Sequence, residues 1–174
     1  MLIMLMRFVV LALAAATAYE APAARVQTEA RLAVSGWRYS KLPPQMHMNL
    51  CEADFCVKGS KVSYIFFAPR KDYTLRQFKT ERAKVAAMLA DRMAGVAYDY
   101  DEATETNDGV FQILELRRRE THPNGQKINV ISSLVLTEKM SIEVISSSQD
   151  ARAANDNLTL FKLPLFAIAS RKSN

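Results

Sequence analysis

Residues 97–148 read AYDYDEATETNDGVFQILELRRRETHPNGQKINVISSLVLTEKMSIEVISSS, and the punctuation of this stretch decides the fold. Runs rich in β-branched and aromatic residues cover 97–106, 110–120, 126–137 and 140–148, with short turn signals between them. Asn124-Gly125 favours a two-residue type I′ hairpin, because both central positions need positive φ. Glu138-Lys139 closes the next hairpin. At Asn107-Asp108-Gly109 a two-residue loop would place Asp99, Asp101 and Glu105 beside Leu114 and Leu116. A three-residue loop with Gly109 in the left-handed region places Tyr98 and Tyr100 there instead, which is far cheaper than burying three carboxylates. With that loop, Asp99 is predicted opposite Arg117.

This register puts Tyr98, Tyr100, Val110, Leu114, Leu116, Ile131, Val135, Ile142 and Val144 on one face. Asp99, Asp101, Glu105, Glu115, Arg117 and Arg119 fall on the other, together with Phe111, Ile113, Val130, Leu134 and Leu136. Both faces are substantially apolar, so both need a cover. Upstream, Thr74 to Ala94 reads as a helix. Thr74 and Gln77 fit a capping box, Gly95 is a stop, and Leu75, Phe78, Val85, Ala86, Leu89 and Met93 recur at helical spacing. The basic residues Arg76, Lys79, Arg82, Lys84 and Arg92 read as its solvated side. Downstream, Asp150 is an N-cap for a second helix over 150–170, which Pro164 is expected to kink or split. The expectation is an α+β three-layer sandwich: an antiparallel β-meander covered by a helix on each face.

Further elements precede the first helix. Val62 to Ala68 reads as a strand that Pro69 stops. Ala30 to Tyr39 reads as a first strand, with Leu32, Val34 and Trp37 as its apolar residues. Pro43-Pro44 is expected to enforce an extended loop, and Gln45 to Lys58 carries the cysteines up to a turn at Gly59-Ser60. The order strand, helix, four meandering strands, C-terminal helix resembles the PsbP-like fold. The resemblance is carried by Thr74–Ala94, by Asp108-Gly109-Val110 opening a strand, and by Ser146 to Phe166. That family includes the lumenal extrinsic subunit of photosystem II and related bacterial exported proteins. What the resemblance implies is a non-enzymatic domain that binds a partner. No functional residue of the family is matched, so none is carried over.

The N-terminus reads as a secretory signal. Arg7 precedes an apolar run from Phe8 to Ala18 that ends small-x-small at Ala16-Thr17-Ala18, with Ala21-Pro22-Ala23 as a second cleavage site. Met6 is a more ordinary start than Met1. The stretch is short for a membrane anchor, which needs about 20 apolar residues. The expected organisation is therefore a signal peptide at 1–23, a flexible lead-in and first strand at 24–44, and a single α+β domain at 45–174. Its size suits one domain with a real core. The formal charge is +5, or +4 once Arg7 is removed. The bases are interspersed with acids, the densest run being Arg117-Arg118-Arg119, so nucleic-acid binding is not expected. A weak attraction to anionic surfaces remains.

Cys51 and Cys56 are the two cysteines, separated by four residues. Outside the cytoplasm they are expected to pair as a disulfide that fixes a local shape. Met46, His47 and Met48 with the cysteines are the soft ligands that suit copper(I), but bonded cysteines offer no thiolate, so no metal and no cofactor is expected. The spacing is also not the Cys-x-x-Cys of thioredoxin-like redox sites. His122 precedes Pro123 at a hairpin tip, and Gly-x-Ser-x-Gly, Ser-x-x-Lys and His-Glu-x-x-His are absent from the sequence. No catalytic residue is assigned. Asp99, Asp101 and Glu105 on one strand face keep a glycan hydrolase as an alternative. The candidate binding face is an apolar floor of Phe111, Ile113, Leu134 and Leu136 with Arg117 and Arg119 as a basic rim. The sequence thus points to a periplasmic or secreted, non-enzymatic accessory module for a protein or cell-envelope component. A secreted factor, inhibitor or immunity protein acting on another cell is the other reading.

Overall fold

The structure is a computed structural model that describes residues 30–107 and 109–170. The leader and both cleavage sites lie outside the described residues. Among the described residues, eight strands form one antiparallel sheet and two helices cover it. The strands are β1 (Trp37–Leu42), β2 (Met46–Cys51), β3 (Lys61–Phe67), β4 (Ala97–Tyr100), β5 (Thr104–Asn107), β6 (Gln112–Thr121), β7 (Lys127–Leu136) and β8 (Ser141–Ser148). Their order is β1-β2-β3-β8-β7-β6-β4, and β5 continues the β4 edge against β6. Helix α1 (Leu75–Arg92) carries the chain from β3 to the far edge, and α2 (Ala151–Ser170) follows β8. The three-layer α+β architecture is the one the patterning predicts.

Local signals explain the helices. Thr74 caps α1 through the reciprocal box with Gln77, and the chain turns at Gly95, φ 83°. Asp150 accepts the Ala153 amide at 2.7 Å and starts α2. The helix then runs through Pro164 without a break. The ring sits on a half-exposed flank, where the Leu160 carbonyl that lacks an amide partner is near water.

Register is where the expectation fails. Thr121 pairs with Lys127, and Gly125 donates to the His122 carbonyl, so the hairpin loop holds Pro123, Asn124 and Gly125. One extra loop residue reverses every side chain of β7 relative to β6. Leu114 therefore stands opposite Leu134, not beside Val135. Leu114, Leu116, Val130, Leu134 and Leu136 share one face with Tyr98 and Tyr100. Ile131, Val135, Ile142 and Val144 share the other with Phe111 and Ile113. The Glu138-Lys139 turn is as expected, since Leu136 pairs with Ser141. At the Gly109 turn, Asn107 pairs with Gln112, a longer loop than three residues.

A bulge also separates β4 from β5. Tyr100 pairs with Arg118 and Thr104 with Glu115, so Asp101, Glu102 and Ala103 face two residues of β6. Asp99 stands opposite Arg119, not Arg117, and faces α2. Glu105 stands opposite Leu114 and faces α1.

Two cores result. Under α2, Phe161, Leu165, Leu158 and Ala154 bury against Val62, Tyr64, Val135 and Val144. Under α1, Phe78 and Tyr73 bury against Leu114, Leu134 and Leu136. The first strand begins at Trp37, later than expected. Residues 30–34 instead cross the sheet as a strap: Tyr64 Oη donates to the Ala30 carbonyl and accepts the Leu32 amide. Pro43-Pro44 is the turn of a hairpin that joins β1 to β2, closed by Gln45 N to Leu42 O. Met46 to Cys51, given no element from the sequence, is a strand whose inward side chains are His47, Asn49 and Cys51.

Candidate functional site

An apolar hollow lies between α1 and the sheet. Helix α1 is anchored most deeply through its first half. Phe78 is its one fully buried residue, and Arg70–Glu81 at 3.2 Å and Arg82–Glu143 at 2.5 Å pin the same region. Further on, Val85, Ala86 and Leu89 are half-buried and Met93 is exposed. Beneath the middle of the helix, residues 79–86, opens a cleft of about 420 Å³. Ala83 and Ala86 form its roof, Leu116, Ala103 and Tyr100 its floor, and the Lys79–Glu102 pair its mouth. The bulge makes the floor: the extra residue turns Ala103 inward and offsets Tyr100 from it.

Electrostatics around the cleft is internally balanced. Burial disfavours the Arg82 charge, but the Glu143 carboxylate outweighs this and raises the guanidinium pKa. Tyr73, beside Glu81, has its phenol pushed well up, first by burial and then by that carboxylate. Tyr98 and Tyr100 stack at 6.3 Å, and burial with the nearby Glu120 raises both phenols. Arg82, assigned to a solvated side by the sequence, is thus a buried strut. A larger hollow of about 630 Å³ opens near Arg70 and Glu138, but its walls are mostly polar.

The structure divides the face predicted from sequence. Leu134 and Leu136 are buried on the α1 side. Phe111, Ile113, Arg117 and Arg119 lie on the α2 side, where Phe111 stacks on Phe166 at 4.5 Å. Arg117 is held between Glu115 and Asn155, at 2.8 and 3.0 Å. Arg119 approaches Asp99 at 3.8 Å, both largely exposed, a contact worth under about 1 kcal/mol. The single-face reading is therefore corrected: the one-residue change at Pro123–Gly125 splits it.

The acidic strand is divided in the same way, with Asp99 and Glu105 on opposite sides of the sheet. Asp99 and Asp101 remain together, lining one small hollow with Arg117 and Arg119, so Glu105 is the acid that leaves the set. Cys51 and Cys56 form the disulfide, Cα to Cα 6.2 Å. His47 is buried, stacked on Tyr64 at 4.7 Å and hydrogen-bonded to Tyr39 Oη at 2.9 Å. Met46 and Met48 alternate to the opposite side of β2. The soft-ligand set is not gathered.

The sequence reading missed the cleft. Its one trace in α1 is Ala86, a small residue within the stripe that reaches less far toward the sheet than Phe78 does. No protein-family model matches the chain, and no curated protein matches it by sequence. The fold does have a structural counterpart. It is similar to the solution structure of cyanobacterial PsbP (CyanoP) from Synechocystis sp. PCC 6803, with a TM-score of 0.55 at 12% identity. The match covers 74% of this chain and 78% of that one. The chain has a PsbP-like fold.

Proposed function

We propose that the chain is an exported, non-enzymatic accessory module that binds a protein or cell-envelope component through the cleft beneath α1. The observation that carries this reading is the cleft itself. Its volume is in the range of binding pockets, and its walls are apolar with few polar groups at the mouth. It lies on the opposite face of the sheet from the larger core under α2, so a guest can be admitted without disturbing that core. The Cys51–Cys56 disulfide and the leader-like N-terminus support an oxidising compartment, the periplasm or beyond it. The PsbP-like fold supports an accessory role by analogy.

The test is a crosslinking pull-down of the tagged full-length chain from its own envelope, run beside Ala86→Trp. The tryptophan fills the cleft from its roof. Wild type should retain a specific partner that Ala86→Trp loses, while both give the same circular dichroism. Equal retention by both would remove the cleft from the interaction. Mass spectrometry of the endogenous chain should find an N-terminus near Ala18 or Ala23. An intact Met1 or Met6 in the cytosol would remove export. Finding the chain in the growth medium would favour the factor acting on another cell.

A further inference from the structure

We infer that the disulfide-closed loop at the β2–β3 connection is a second docking element, in which Phe55 inserts into an apolar pocket on a partner protein. Phe55 is the most exposed of the large apolar side chains described, at 74%. It lies at the sheet edge opposite the cleft, since β1 and β2 end the strand order that β4 begins from the other side.

Three observations carry the inference. The loop is rigid. Cys51 is in the α2 core and bonded to Cys56, and the amides of Glu52 and Ala53 both donate to the Gly36 carbonyl. Gly59 donates to the Cys51 carbonyl and Ser60 to the Val57 carbonyl. Second, the ring is held in place from beneath. It rests over Gly36, whose φ is 77°, and a Cβ at that position would clash with the ring and come within 2.7 Å of the Ala53 Cβ. An aromatic side chain held outward in this way loses little freedom on binding, which is what makes a hot-spot anchor effective. Third, the surrounding charges identify the partner's class. Arg38 pairs with Glu52, and Lys58 with Asp54, so the ring is framed by two cations and two anions. A balanced frame gives no attraction to an anionic bilayer or a nucleic acid. It matches the mixed rim of a protein surface, with Phe55 for the central pocket.

The experiment replaces Phe55 with photoreactive p-benzoylphenylalanine in the full chain, crosslinks it in the native envelope, and competes with unlabelled chain. Control probes go at Leu163 and Val110, which are also well exposed. The expected result is a protein adduct from position 55 that a tenfold excess of wild type reduces at least fivefold. Phe55→Ala, folded with an unchanged melting temperature, should not compete, and chain reduced with dithiothreitol should compete weakly. Equal adducts from Leu163 or Val110, equal competition by Phe55→Ala or by reduced chain, adducts with lipid or with a second copy, or no adduct would each overturn the inference.

Discussion

The two faces of the sheet are covered by helices of similar length, yet the covers work differently. Under α2, Ala154, Leu158, Phe161, Leu165 and Ala169 are all buried along one stripe, and Trp37 meets the edge of Phe161 at 5.0 Å. Small residues in the sheet let this helix sit close: Ser146 Oγ donates to the Ala154 carbonyl at 2.7 Å. Under α1, one phenylalanine and two partly buried ion pairs hold the first half, and Ala83 and Ala86 roof an open cleft beneath its middle. Apolar area is the main source of stability. The α2 side is therefore the larger structural core, and the α1 side is the more open one. A fold can carry two such unlike covers because its central sheet is shared.

Several measurements would break or sharpen that contrast. Phe161→Ala should cost about 3–5 kcal/mol, read as the shift in urea midpoint at constant slope. A loss near 1 kcal/mol would mean that α2 is not the main core. Glu143→Gln strands the Arg82 charge beneath α1. With the pair at 15% exposure, the loss should be about 2 kcal/mol, below that of a fully buried pair. Replacing both partners by methionine should recover most of it.

Alkaline unfolding sharpens the comparison from the α2 side. Burial pushes the Tyr64 phenol up to about 12 from 10. Its folded value lies above its unfolded one, so the stabilisation is complete below pH 10 and is lost as pH rises from 10 through 12. Tyr64→Phe should flatten that loss and cost about 1–2 kcal/mol at neutral pH through the bonds to Ala30 and Leu32. Replacing both cysteines by alanine should cost about 2 kcal/mol, the value for so short a closed loop. The smallest effect belongs to Leu89→Ala, at under about 1 kcal/mol. Amide exchange should also be faster over 85–92 than over 75–82. Equal protection along α1 would mean that its second half is packed as firmly as its first.

The helices, the meander and the disulfide were legible because each has a local cause: a capping box, alternating β-branched residues, a short cysteine spacing. Register was not. Asn124-Gly125 fits a two-residue turn, but Pro123 joins it in the loop, and nothing local to those three residues shows which closure the neighbouring strands prefer. The β1–β2 hairpin was hidden for a different reason. The side chains that β2 buries are His47, Asn49 and Cys51, so no apolar alternation marks it. The acid trio Asp99, Asp101 and Glu105 looked like one surface only because the bulge at 101–103 cannot be seen in a period-two count. The cleft depends on the distance between a helix and a sheet, which no residue pattern encodes directly.

That bulge places a reading-frame-like dependence in the architecture. Losing a single codon between Asp101 and Ala103 would fuse the border into one straight ribbon, with Asp99 still opposite Arg119 and Glu105 still opposite Leu114. The uninterrupted margin left behind would invite neighbouring molecules to zip on. A three-nucleotide deletion there should thus convert a protected border into a sticky edge.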